Sequence, residues 1–429
     1  LNAPADAALH EAVRVLRLPA TIRERCALIT AAASAGRSAH FDIARGRLPA
    51  VADRVARVIR ERHPGLQVPV HSCWRHLEAS GVAREHELDT RLAGRSASAA
   101  ARARVDLAFV SVLLDADPGP AWSFLDSHSG QRFTGAEGLA VAVWHGFMAG
   151  RFSSEPGDPF RVDAQALQRI DSAALEGIFQ ANDSNPLARL DERVALLRRF
   201  GEALRAQPQV FTASGQPGHL LDTLTYHAHA PRLRHHRPAP GAQRHRHVDA
   251  ERILGALLGS FSDIWPGSQR LGDVPMGDAW RHPHAGGHGP GAGVVPLHGP
   301  SQWLAGSLIE PFERSGVQVQ RLDELTALPD AGNGGLLIDA GVVVPRDTDA
   351  AVQPHSLGDT WVVEWRALTV SLMDELAPLV RAELGLDAAQ LPLVRLQAGS
   401  AAAAQQIAAE LRENGMPPVR VDTVIHTAI

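Results

Sequence analysis

Between residues 296 and 341 the sequence concentrates short polar side chains in Gly- and Pro-rich turns. The stretch holds Pro296-Leu-His-Gly-Pro-Ser-Gln-Trp303, then Leu325-Thr-Ala-Leu-Pro-Asp-Ala-Gly-Asn-Gly-Gly335, then Ile338-Asp-Ala-Gly341. A carboxylate on such a turn, here Asp330, can be held rigidly at a pocket edge, where it would stabilise positive charge or align a water. His298, Gln302 and Asn333 are the polar groups that accompany it. The same spacing suits a plainer role, with Asp330 and Asp339 each capping a turn. Further on, Val363-Glu-Trp-Arg-Ala-Leu-Thr369 puts Glu364 and Arg366 in the first turn of a helix. Glu364 there complements the helix dipole; beside Arg366 it would equally grip a polar ligand.

Other constellations read more weakly. His282-Pro-His284 with His288 has a spacing that can ligate zinc, but in a Gly-rich stretch with no carboxylate closer than Asp278 the reading is incidental loop histidines, and no metal is expected. His235, His236, His245 and His247 read the same way. Gly399-Ser400, at an expected strand-to-helix junction, would offer backbone amides to a phosphate, or would simply be a turn. His71-Ser-Cys-Trp-Arg-His76 sets a thiol between two imidazoles, either a nucleophile with its base or a packed Cys beside Trp. Trp122 between Asp115 and Glu137 would make an aromatic wall with acids, and Arg189 with Arg193 a basic helix face; each is also an ordinary structural pattern.

Composition removes whole classes of chemistry. All 42 basic residues are Arg, which excludes a lysine Schiff base, a pyridoxal-phosphate anchor and a P-loop lysine. Only Cys26 and Cys73 occur, too far apart for a thiolate clip, so neither a zinc knuckle nor a disulfide framework is expected and a reducing, cytoplasmic setting fits. A net charge of -5 spread along the chain leaves no nucleic-acid footprint, and no run of 18 apolar residues or signal-like segment points to a membrane. With 45% apolar residues in 429, the chain can bury a large core.

The elements that must position these residues are mostly helical. Helical periodicity covers Ala20 to Ala33, Leu48 to Arg62, Ala99 to Leu114, Gly135 to Ala149, Leu187 to Ala206, Val248 to Ile264, Ser301 to Arg314 (Ser301 as N-cap) and Val362 to Leu384. Leu336 to Val344 reads as a strand. The tail reads as strand Leu391 to Leu396, a turn at Gly399-Ser400, helix Ala401 to Asn414 and strand Val419 to Ile425, a βαβ-like element. The expected fold is mainly α (α+β), a multi-helical body with a few short strands. His/Arg/Pro-rich residues 227–248 are expected to link an N-terminal helical region, 1–226, to a C-terminal region, 249–429, that carries the site. Pro266 to Pro296 reads as a second loop.

Taken in order, these segments resemble a family of uracil-catabolism proteins found in fungi and bacteria, long grouped as a domain of unknown function. The likeness rests on His71-Ser-Cys-Trp-Arg-His76, Asp106 to Asp115, Glu137-Gly-Leu-Ala-Val-Ala142, Gly150-Arg-Phe-Ser153 and Asn185-Pro-Leu187. It continues through Ser301-Gln-Trp-Leu304, Leu308-Ile-Glu-Pro311, Asn333-Gly-Gly-Leu336 and Glu364 to Val370. The second half is also distantly similar to the queuosine-nucleotide N-glycosylases, at His298 to Gln302, Leu325 to Asp330 and Glu364 to Arg366. The resemblance implies a glycosylase-like helical fold and hydrolysis of the N-glycosidic bond of a ribosylurea-phosphate or nucleotide-like substrate, with no cofactor.

On that reading Asp330 stabilises the oxocarbenium-like state or activates water, and His298 or Glu364 assists the departing urea. Gln302, Trp303, Asn333, Trp122 and Glu137 would line the site, and Arg366 with Gly399 and Ser400 would hold phosphate. The sequence departs from the family pattern where Gly299-Pro300 replaces a Lys-Leu pair, Ala305-Gly306 a Thr-Tyr pair, Ala331-Gly332 a Tyr-Arg pair, and Ala398 to Ala401 a Gly-Gly-Thr-Trp run. Two cations and three rings are thereby lost. The alternative expectation is a catalytically degenerate member that binds a ligand or regulates. The expected partner is a phosphorylated ribose derivative, with no nucleic acid and no membrane; self-association is not readable.

Overall fold

Apolar residues recurring at helical spacing, with few β-branched runs, give a chain built from helices. The computed structural model describes residues 3–226, 247–265, 269–413, 415–421 and 423. Among these lie eighteen α-helices and six two-stranded pairings, so the fold is mainly α. Helices fall close to their expected positions at Pro19–Ser34, Leu48–Arg62, Ala97–Leu113, Gly135–Met148, Leu190–Arg205 and Ala250–Phe261. No helix among the described residues is long and apolar enough to cross a membrane.

The polypeptide interleaves. Strand Phe41–Ile43 pairs antiparallel with Val343–Pro345, and helices Pro19–Ser34 and Leu48–Arg62 pack on the 25-residue helix Thr360–Leu384. Helix Ala97–Leu113 packs on Gly299–Arg314, and strand His247–Asp249 lies parallel to Gln318–Gln320. One apolar core runs through all of these, from Ile22 and Val55 to Leu336, Val362 and Ile407. Residues 227–246, most of the expected linker and its His235, His236 and His245, lie outside the described residues.

Three local expectations are corrected. Leu391 to Leu396 is not a strand: Pro392 is the N-cap of one continuous helix, Leu393–Leu411, and the βαβ-like tail does not form. What remains of it is Arg420–Val421, paired parallel with Pro354–His355. Leu336 to Val344 divides into the end of helix Ala331–Asp339 and strand Val343–Pro345. The Gly/His/Pro segment 266–296 contains two short antiparallel pairs, Arg270–Leu271 with Val274–Pro275 and Ala279–Arg281 with Val294–Pro296.

Candidate functional site

The chemistry-bearing residues converge where four segments meet. Helix Gly299–Arg314 begins three residues earlier than a Ser301 N-cap would allow: Pro300 occupies the first turn, and the N-cap is His298 in the left-handed region at φ 51°. Its N-terminus is held from outside. Asp278, just before strand Ala279–Arg281, accepts the Gly299 N–H on Oδ2 at 2.8 Å. The Asp278 main-chain oxygen accepts the N–H groups of Leu297 (3.0 Å) and His298 (2.8 Å).

The other partner of Asp278 is Arg366. Helix Thr360–Leu384 runs through the core, so Arg366 is wholly buried and must find a counter-charge. Its two terminal nitrogens bind the Asp278 oxygens at 2.8 and 2.5 Å, and its Nε–H donates to the Pro329 carbonyl at 3.0 Å. Trp280 Nε1–H completes the set on Asp278 at 2.7 Å. Burial works against the Asp278 anion, but Arg366, Trp280 and Gly299 hold its pKa below the usual carboxylate range. All three guanidinium nitrogens of Arg366 are thus engaged by the protein, where the sequence reading gave Arg366 to a substrate phosphate.

The Leu325–Asp330 run carries the expected carboxylate into this cluster. Asp330 follows Pro329, whose carbonyl Arg366 holds, and it is the N-cap of helix Ala331–Asp339, with Oδ1 accepting the Asn333 N–H at 2.8 Å. Asn333 is in turn fixed through its amide. Its Nδ2 donates to Leu328 O at 3.1 Å and Gln397 Oε1 at 3.0 Å, and its Oδ1 accepts from Ser400 Oγ at 2.7 Å. Gln397 Oε1 also accepts the Leu328 N–H at 2.7 Å. Gln302 braces the same run from the other side, accepting from Thr326 N (3.0 Å) and Oγ1 (2.8 Å) and donating to Leu297 O (3.1 Å). Gln302, Asn333 and Ser400 therefore position the loop that bears Asp330.

Two further groups have roles set by their surroundings. His298 Nε2 lies 3.0 Å from the Leu16 carbonyl, which can only accept, so Nε2 carries the proton. Its buried Nδ1 has no hydrogen-bond partner among the described residues and presents a bare lone pair. Burial pushes the imidazole down to about 4, so it is neutral and can accept, not donate, a substrate proton. Glu364 lies one turn into its helix, 3.5 Å from His282 Nε2. Burial raises its pKa, yet His282 and Ser38 outweigh that and keep Glu364 ionised. His282 is thereby the buried partner of an acid, while His288 of the same trio is exposed.

Gly399, expected at a strand-to-helix junction that would hold a phosphate, is not at such a junction. It lies mid-helix, where a Cβ would sit 2.4 Å from Ile59 Cγ1, so its role is close helix approach. Trp303 faces a different neighbourhood: its Nε1–H donates to Asp115 at 3.0 Å, and its ring packs near those of His71 and His76. The His71 to His76 run docks on the same helix, with Trp74 Nε1–H on Ser307 O and Ser72 and Arg75 on Glu310. Cys73 is buried and its thiol pKa is pushed up by burial, which removes it as a nucleophile. Trp122 is buried with Nε1–H on Phe179 O, and Glu137 is exposed in the first turn of Gly135–Met148. Arg193 is not a basic surface: it is buried, donating to the carbonyls of Leu114, Ala116, Asp117 and Ala188.

Asp278, Gln397 and His282 carry much of this geometry and were not picked out from the sequence as partners. The one usable signal was Arg366 itself, a cation amid Trp365, Ala367 and Leu368, which requires a buried acid somewhere in the chain.

With the geometry in view, comparison with known proteins places the chain. A family model described as "Protein of unknown function (DUF1688)" matches residues 15–424. The chain belongs to this family. Among its relatives, "Uracil catabolism protein 4" of Lachancea kluyveri is 30% identical over 414 residues, 90% of this chain and 91% of that protein. "Protein urg3" of Schizosaccharomyces pombe (strain 972 / ATCC 24843) is 32% identical over 374 residues, 85% of this chain and 86% of that protein.

Proposed function

We propose that this chain acts in uracil catabolism as a hydrolase of the N-glycosidic bond of a ribosylurea-phosphate or nucleotide-like substrate. The pathway assignment draws on the relative named for uracil catabolism, and the reaction on the likeness to nucleotide N-glycosylases at residues 298–302, 325–330 and 364–366. The observation that carries the chemistry is the fixed carboxylate. Asp330 is buried at a helix N-terminus on a loop clamped from both sides by Gln302, Asn333 and Arg366. Breaking a ribosyl C–N bond builds positive charge on the sugar, and a carboxylate that needs no reorganisation stabilises it and orients the attacking water. Asp330 takes the proton of the attacking water and returns it to the departing urea nitrogen, while neutral His298 accepts a hydrogen bond from another N–H of that fragment and ionised Glu364 adds negative potential. Substrate enters by parting the segments that bury Asp330, and its phosphate is met by cations other than Arg366.

The alternative, a ligand-binding or regulatory member without turnover, is favoured by one observation: Arg366 and Asp278 satisfy each other, leaving neither for a substrate. A urea-release assay on ribosylurea 5-phosphate, paired with calorimetric titration, separates the two. Turnover in the wild type and a fall of ~10²–10⁴-fold in Asp330→Asn supports the hydrolase. Binding without release supports the regulatory reading, and an Asp330→Asn variant as fast as wild type removes Asp330 from the mechanism.

A further inference from the structure

Far from Asp330 in sequence, the hairpin Phe124–Leu125/Arg132–Phe133 and helix Gly135–Met148 bring together Asp126, His128 and His145. One ligating atom from each lies within 4.8 Å of the others. The two Asp126 oxygens have separate tasks. Oδ2 is bound by the buried Arg84 guanidinium at 2.7 Å and by Ser129 Oγ at 2.8 Å. Oδ1 also accepts the His128 N–H, at 3.0 Å, and it faces both imidazoles, with His145 Nε2 at 2.8 Å and His128 Nδ1 at 3.8 Å. Ligand atoms around a tetrahedral zinc with bonds of 2.0–2.2 Å are about 3.3 Å apart, so these separations bracket the value.

We propose that Asp126 Oδ1, His145 Nε2 and His128 Nδ1 form a binding site for a borderline divalent transition metal, zinc or its neighbours in the series. Two imidazoles with one carboxylate select this class over magnesium or calcium, which take oxygen ligands. Three protein ligands leave the fourth position to water or an incoming ligand. Arg84 and Ser129 act as the outer shell, fixing the carboxylate so that Oδ1 points at the imidazoles. His128 is exposed on the hairpin and His145 partly so, which gives the metal an entry path and lets the His128 ring close the remaining distance. The Arg84 cation on the far oxygen offsets part of the anionic charge, so the site binds more weakly than an all-anionic one. The neighbourhood is also optically marked, since His128 packs edge-on to Trp144 at 5.8 Å.

The test is calorimetric titration of the chelator-treated full chain with zinc, and with cobalt read by absorbance, comparing wild type with His128→Ala and His145→Gln. His128 is exposed, so its variant isolates ligation from folding; a circular dichroism spectrum checks both. The expected result is one saturable site in the wild type and at least ~10-fold weaker binding in each folded variant. Absence of a one-to-one event in the wild type overturns the proposal. So does binding unchanged in His128→Ala, which would locate the metal on other histidines.

Discussion

The Asp278–Arg366 pair offers the sharpest test of how the candidate site is held together. Both side chains are wholly buried, so no solvent screening discounts their attraction. Asp278 accepts four side-chain hydrogen bonds: two from Arg366, one from Trp280 and one from the Gly299 N–H. Removing one member of a buried pair costs ~3–5 kcal/mol, because the other charge is left uncompensated. Asp278→Ala belongs at the top of that range, since it also strands the Trp280 and Gly299 donors at ~1–3 kcal/mol each. Arg366→Met belongs lower, since Asp278 keeps two of its four donors. In the double variant no buried charge remains, and the residual cost is that of the two stranded donors, ~2–6 kcal/mol. The singles therefore sum to more than the double by at least ~2 kcal/mol, a coupling that equilibrium urea denaturation of the full chain resolves. Additive losses would refute the reasoning, and would mean that Arg366 is held chiefly by packing and the Pro329 carbonyl.

Three further outcomes are expected. Burial raises Asp106 to about 7 against donors from Gln216, Val162 and Gly218, so the folded chain keeps a proton that the unfolded chain releases near pH 4. Its contribution to stability is full below that pH and is lost as the pH rises through about 7; stability-versus-pH curves of wild type and Asp106→Asn should differ by this slope, and parallel curves would contradict it. Gly399→Ala should destabilise by ~1–3 kcal/mol through overpacking on Ile59, and the same substitution should cost less in an Ile59→Ala background, read by thermal melts of the four chains. Cys26 and Cys73 are buried with thiols shifted away from ionisation, so a thiol reagent should label neither in the native state and both after denaturation. Labelling of Cys73 in native protein at the rate of a free thiol would reopen its candidacy as a nucleophile.

The sequence revealed helices where periodicity was sustained, as at Leu48–Arg62, and was misleading where tertiary packing used Gly against its usual meaning. Gly399 read as a junction because Gly disfavours helix interiors, but Ile59 leaves no room for a side chain there. Gly334, just before the expected strand Leu336 to Val344, lies in the first turn of a helix, where a Cβ would fall 2.5 Å from the Trp365 ring. Leu391-Pro-Leu-Val-Arg-Leu396 is a short apolar run of strand length, yet Pro392 is suited equally to starting a helix. At the site, Asp330, His298, Gln302 and Asn333 were legible because short polar residues in Gly/Pro turns are uncommon in a packed core, and Arg366 because it is a cation amid Trp365, Ala367 and Leu368. Their roles were not, because these depend on partners that no local pattern names: Asp278 neutralises Arg366, Leu16 fixes the tautomer of His298, and Gln397 orients Asn333.

Pairing of Phe41–Ile43 with Val343–Pro345 bears on how the chain is made. On the ribosome, synthesis at ~5–20 residues per second separates the appearance of these two strands by ~15–60 s. During that interval the helices Pro19–Ser34 and Leu48–Arg62 exist without Thr360–Leu384, the helix that buries their apolar faces. The nascent N-terminus therefore carries uncovered Ile22, Val55 and Ile59 for most of its synthesis. A truncated message or a stalled ribosome releases a fragment whose greasy surface invites chaperone capture and proteolysis, so quality control of this protein is set by its last third rather than its first.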